Sequence, residues 1–303
     1  MYVLVCDLDD DGDLDFVSVD SLVSGTGRVQ SSYSIVYYEN VGTASDPNFI
    51  QHREKELNPF YDILTLYSSY FVQYEAQLVD IDGDGDCDWS ILSYSDHGDQ
   101  PTIFENVGSP KHPVFKMRPN EKVSSLLHKD TAPARKAGNN LHKWVDINQD
   151  GFIDYVQQDG TLYGRSYLFL SVPPSTPTFT EDATVFDTTA LTNMNRRSQA
   201  HSLWDFDNDG DFDLLVLGND WKPFWYYENT GTKYKAVWTQ RLDAATNPFL
   251  SMNIESAISK TANAQKSKYF VVYDLDADGD GDVIISSHIG KVFSLSEKNK
   301  QIR

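Results

Sequence analysis

The chain has 303 residues and a formal net charge of −20, from 45 Asp and Glu against 25 Lys and Arg. Hydrophobic residues at 40% and aromatics at 13% exclude a disordered acidic polymer and leave enough apolar surface for a substantial core. No apolar run approaches the ~18 residues of a membrane-crossing helix, and so acidic a chain without a recognisable binding motif is not expected to hold nucleic acid.

In chain order, the first predicted element is the strand YVLVC, which runs directly into DLDDDGDLD at 7–15. MYVLVCDLD carries no signal-peptide pattern. The acidic stretch recurs as DIDGDGDCD (80–88), DINQDGFID (146–154), DFDNDGDFD (205–213) and DLDADGDGD (274–282). All five fit D-x-[DN]-x-D-G-x-x-D, and their starts lie 73, 66, 59 and 69 residues apart, so the chain is an internal repeat. The units span about 1–70, 71–138, 139–198, 199–266 and 267–303 of a single domain. Position 2 is apolar in each copy (Leu8, Ile81, Ile147, Phe206, Leu275), and so is position 10 (Phe16, Trp89, Tyr155, Leu214, Val283). Each loop therefore reads as a hairpin connection between two buried strands.

A third strand follows, as IVYYENVGT (35–43), TIFENVGS (102–109) and FWYYENTGT (224–232). Pro47/Phe49, Pro113/Phe115 and Pro177/Phe179 then mark a fourth. Four antiparallel strands per unit predict an all-β fold, a β-propeller of four-stranded blades with five units visible. In the third unit YLFLSVPP (167–174) replaces the E-N-x-G strand, and the fifth is expected to stop after its third strand. A closed five-bladed ring and five blades of a larger propeller both remain open.

The acidity is local. Of the 45 acids, 24 lie in the five nine-residue loops, and the 21 others nearly balance the 25 Lys and Arg. That concentration is the chemistry of a cation site. Calcium takes about 6–8 oxygens in a flexible shell, and carboxylates at positions 1, 3, 5 and 9 converge if the chain turns sharply at the position-6 Gly. Position 7 is expected to contribute its main-chain carbonyl. The predicted ligands are Asp7, Asp9, Asp11, Asp13 and Asp15; Asp80, Asp82, Asp84, Asp86 and Asp88; Asp146, Asn148, Asp150, Phe152 and Asp154; Asp205, Asp207, Asp209, Asp211 and Asp213; and Asp274, Asp276, Asp278, Asp280 and Asp282. Up to five structural Ca²⁺ ions follow. An EF-hand is excluded because position 12, which needs a bidentate Glu, is Ser18, Ile91, Gln157, Val216 or Ile285. Magnesium keeps its waters and zinc wants His or Cys, so both fit less well.

The D-x-D-x-D-G-x-x-D loop, followed by Y-x-E-N-x-G and P-x-F, resembles the FG-GAP/VCBS repeats that build the β-propeller of integrin α-subunits and many secreted surface proteins. The resemblance implies calcium-loaded loops on a propeller rim, with the binding surface elsewhere. It points to a non-catalytic recognition or adhesion module for an extracellular protein or glycan. A lectin-like propeller and a calcium-dependent polysaccharide lyase are the alternatives it leaves.

Cys6 and Cys87 stand where other units have apolar residues, so they are expected to be free and buried. Loops of millimolar affinity fill only outside the cytosol, which predicts an extracellular or cell-surface location. His142 and His201, each four residues before a loop, are candidates to face a central channel and touch a ligand. Trp221 and Trp225, in NDWKPFWYYENTG, are candidate ligand contacts, although period-two aromatics in a strand are commonly core. The stretch 111–143 carries eight Lys and Arg against two acids, a solvated loop or a docking site for an acidic partner.

Overall fold

The computed structural model describes residues 2–23, 31–63, 73–93, 101–109, 111–118, 141–158, 166–172, 178–181, 198–218, 224–251, 268–275, 278–287, 292–296 and 301–302. They form five four-stranded antiparallel sheets, each built from strands consecutive in sequence. The first sheet holds β1 (Tyr2–Cys6), β2 (Asp15–Val23), β3 (Ser31–Asn40) and β4 (Phe49–His52). The second holds β5 (Gln73–Val79), β6 (Asp88–Ser93), β7 (Pro101–Asn106) and β8 (Phe115–Met117), and the third β9 (Leu141–Val145), β10 (Asp154–Gln158), β11 (Ser166–Val172) and β12 (Thr178–Glu181). The fourth holds β13 (Ser198–Trp204), β14 (Asp213–Gly218), β15 (Trp225–Asn229) and β16 (Trp238–Arg241). The fifth holds β17 (Lys268–Tyr273), β18 (Asp282–Ser287), β19 (Val292–Ser296) and β20 (Gln301–Ile302).

Two expectations change here. The fifth unit does not stop at its third strand, because β20 pairs with β19 and completes the sheet. The divergent YLFLSV segment still forms a third strand, β11, paired with β10 and β12.

The chain divides into two compact units. Met1–Ser125, with Leu275–Ala277, carries the first two sheets, and Leu126–Asp274 with Asp278–Arg303 carries the other three. In the first unit β1 packs against β5; in the second, β13 packs against both β9 and β17. The first unit's core joins Leu4, Val17, Ile35 and Tyr37 to Leu78, Trp89 and Phe104. In the second, Val156, Leu203, Leu214, Val216, Tyr227 and Trp238 pack together. Alternation along the strands produces these faces, since side chains two apart share one side of a sheet.

Two short connectors tie core to loop. In Asn58-Pro59-Phe60 the Asn carboxamide donates to the Ile35 and His52 carbonyls and accepts the Phe60 N–H. Phe60 then stacks on Phe115 at 4.7 Å and meets Trp89 edge-on at 5.4 Å. Asn247-Pro248-Phe249 repeats the device, with Asn247 donating to the Arg241 carbonyl and Phe249 packed against Phe206 and Tyr226.

The cysteines are not free. Cys6, at the end of β1, and Cys87, one residue before β6, form a disulfide with Cα atoms 6.7 Å apart, across 81 residues of sequence. Their repeat positions are apolar elsewhere, but in neighbouring sheets of one unit they face each other, and two thiols that close can bond as well as pack.

Candidate metal centres

All five acidic loops join the first strand of a sheet to the second, and all five close in one register. Position 9 pairs with the residue before the loop: Cys6 with Asp15, Val79 with Asp88, Val145 with Asp154, Trp204 with Asp213, Tyr273 with Asp282. The position-6 glycines carry the positive φ expected of them, between 90° and 96°. A second left-handed residue at position 4 was not legible in the pattern: Asp10, Gly83, Gln149 and Asn208, with φ of 55–77°.

The carboxylates first organise the loop's own backbone. Asp7, Asp80, Asp146, Asp205 and Asp274 each accept the N–H of position 5 on Oδ1 and that of position 6 on Oδ2, at 2.8–3.2 Å. Position 5 accepts the N–H of position 7 at 2.9–3.2 Å in every loop. Position 9 is buried in all five, and Oδ2 of Asp15, Asp88, Asp154 and Asp213 accepts the N–H of position 2 at 3.0–3.2 Å. Oδ1 of Asp15, Asp88 and Asp213 accepts the N–H of Asn40, Asn106 or Asn229 at 2.7–2.8 Å. Tyr37 and Tyr226 add hydroxyl donors to Asp15 and Asp213.

That bond explains the E-N-x-G signature. Each Asn passes the link onward, its side-chain oxygen accepting the N–H of the Gly two residues on and of the residue just before the fourth strand (Asn48, Val114 or Val237), at 2.8–3.1 Å. The Gly is required by close approach: a Cβ on Gly231 would lie 2.2 Å from the Lys235 carbonyl oxygen, and one on Gly108 2.3 Å from that of His112. The Glu has a role too. Glu39 meets His52 at 2.6 Å, Glu105 meets Arg118 at 2.7 Å and Glu228 meets Arg241 through two N–H groups. The basic partner stands twelve residues after the Asn each time, a spacing visible in the sequence and missed.

What remains unmet points inward. Oδ1 of Asp9, Asp82, Asp86 and Asp211 is buried without a hydrogen-bond partner. A buried carboxylate oxygen without a donor costs free energy unless a cation or proton meets it. Ligand oxygens of Asp7, Asp9 and Asp15, of Asp80, Asp82 and Asp84, and of Asp205, Asp207 and Asp209 lie within 4.8 Å of one another, and each of these triads could hold a metal ion. Burial, then the acidic neighbours, pushes Asp86 and Asp211 up to about 6. Burial pushes Asp15 to about 6 and Asp88 and Asp213 to about 7, against the hydrogen bonds that favour their charged forms. Without a cation, these loops hold more negative charge than their surroundings stabilise. An all-oxygen donor set of this density suits a hard divalent ion. Position 7 exceeds its expected part: the side chains of Asp86 and Asp211 are buried, 8% and 6% exposed, whereas Phe152 at 42% has only a carbonyl to offer.

His201 is buried, 5% exposed, and pairs with Val216 in the β13–β14 register. Trp225 is half-buried against the second unit's core. His142 pairs with Gln157 in β9 and β10, while Asp276 and Trp221 lie outside the described residues. Of the basic stretch, Arg118 and Lys143 are turned inward, with Lys143 6% exposed; residues 119–140 lie outside the described residues.

No family model and no curated protein matches the chain. Among solved structures it is similar to an Agrocybe aegerita lectin that recognises non-reducing terminal N-acetylglucosamine, with 13% identity and a TM-score of 0.44 over 100% of this chain and 65% of that one. It is also similar to a thermostable family-43 glycoside hydrolase, at 9% identity and a TM-score of 0.46 over 99% and 91% of the two chains. A Photorhabdus luminescens Tc holotoxin pore matches at 19% identity and a TM-score of 0.38, over 94% of this chain and 13% of that one.

Proposed function

We propose that this chain is a calcium-stabilised β-propeller of the FG-GAP/VCBS kind, working outside the cell as a non-catalytic recognition or adhesion module for a protein or glycan. The observation that carries the reading is the set of buried carboxylate oxygens without donors, repeated at equivalent positions of separate loops. Four-stranded sheets whose first strands pack side by side within each unit support the propeller. The disulfide supports an oxidising location.

Bound calcium would supply the positive charge that the oxygens of each loop, between its entering and leaving strands, would coordinate. The protein's own part is orientation. Position 1 fixes the turn, position 9 ties it to the neighbouring hairpin, and positions 3 and 7 present their remaining oxygens. Carboxylates committed in this way are poorly placed as general acids or bases, which favours a module over a lyase.

Thermal unfolding in EDTA and across calcium from 10 μM to 10 mM tests the reading. The expected outcome is a rise in Tm of about 10 °C or more near millimolar calcium, with magnesium far less effective. An unchanged Tm would sink it.

A further inference from the structure

Arg118 and Arg241 occupy one position of the repeat, twelve residues after Asn106 and Asn229. Their guanidinium groups do different things. Arg241 directs both Nε and Nη2 at Glu228. Arg118 gives Nε to Glu105 at 2.7 Å but Nη2 to Oδ2 of Asp82, the position-3 residue of the second loop, at 2.5 Å. Its side chain is only 12% exposed, and its backbone N–H is fixed on the Ile103 carbonyl at 2.8 Å. The first loop has His52 at this position, turned to Glu39.

We propose that Arg118 is a built-in counter-cation that makes the second loop the weakest of the three described cation sites, the one that empties first as calcium falls. The proposal rests on the calcium reading of the loops. Three features carry it. One oxygen of Asp82 is already bonded, so only Oδ1, buried and without a partner, is left for the ion. A fixed positive charge one carboxylate away repels a divalent cation and offsets part of the field of the five aspartates. The anchor on Glu105 and the backbone bond to Ile103 keep the guanidinium from swinging clear. Ligand charge and rigidity are the variables that set calcium affinity in oxygen sites, and Arg118 acts on both. The repeat thus holds sites of graded strength rather than identical ones.

Calorimetric titration of the full chain with calcium tests this. Among the three sites, the wild type should show one weaker than the other two. R118M and R118Q should tighten that site about tenfold, as expected for removing one neighbouring charge. Gln keeps a polar group at the level of Nε, within reach of Glu105, without the charge, and so guards against a Met variant that misfolds. R118K keeps the charge though not the fork and should tighten the site less than either neutral variant, and R241M should leave the isotherm unchanged. Calcium uptake with the weak site unmoved, or loosened, in both R118M and R118Q overturns the inference alone. A wild-type chain that takes up no calcium overturns the calcium reading and this inference together.

Discussion

The second and fourth loops share five aspartates at the same positions, yet they are held differently. Asp213 receives three donors, the N–H groups of Phe206 and Asn229 and the Tyr226 hydroxyl, and Arg241 directs both its Nε and Nη2 at Glu228. Asp88 receives two, from Ile81 and Asn106, because Ile103 stands where Tyr226 does, and Arg118 leans on Asp82 instead. The fourth loop is tied inward to its hairpin; the second is neutralised from outside by a neighbouring strand end. One consensus can thus be satisfied by different supports, and the aspartates alone do not determine how firmly a loop is kept.

The strongest way to break this contrast is to delete position 9. D213A should cost about 4 kcal/mol and D88A about 2–3 kcal/mol, because each buried N–H left without an acceptor costs on the order of 1–3 kcal/mol. Urea unfolding in saturating calcium measures both, and equal losses would mean the third donor is idle. Acidity gives the next largest effect. In the metal-free chain Asp88 and Asp213 hold their protons up to about 7, and Asp15, Asp86 and Asp211 up to about 6, above the ordinary 3.8. The folded state then binds more protons than the unfolded one between those values, so stability falls as pH rises through the window. In EDTA, Tm should therefore climb by about 5 °C from pH 8 to pH 5.5. In saturating calcium it should fall over that range, as protons displace the ion; parallel slopes would contradict the picture. The smallest effect sharpens the comparison. Y226F removes from the fourth loop the hydroxyl that the second already lacks and should cost about 1.5 kcal/mol, as for a bond to a carboxylate.

Much of this was legible in the residues because repetition supplies its own alignment. Five copies of D-x-[DN]-x-D-G-x-x-D fixed the hairpin register, and the apolar residues at positions 2 and 10 identified a core that the structure fills with Leu8, Ile81, Trp89, Tyr155 and Leu214. What escaped was whatever one unit does that another does not. Cys6 and Cys87 sit at different repeat positions, so lining up the units set them in separate columns, and only packing brings them together. Arg118 was one of eight basic residues in a loop-like stretch, and nothing in its spacing distinguishes a partner on Asp82 from one on Glu105 alone. The N-P-F connectors are a different case. Asn58 and Asn247 each lie eighteen residues after the E-N-x-G asparagine, so a comparison of the first and fourth units could have revealed them.

The bond from position 9 to the E-N-x-G asparagine has a consequence for how such a chain can change over time. Strands one and two meet at the acidic loop, strands three and four meet at the Asn-Gly turn, and one carboxylate joins the two corners. A segment duplicated with both corners brings this link between its corners with it. The third sheet shows the tolerance this confers: Ser171 stands opposite Phe179 where its counterparts have Asn, and the sheet still runs to four strands. Copies can be gained or can drift one at a time, and selection can act on a single loop without renegotiating the rest.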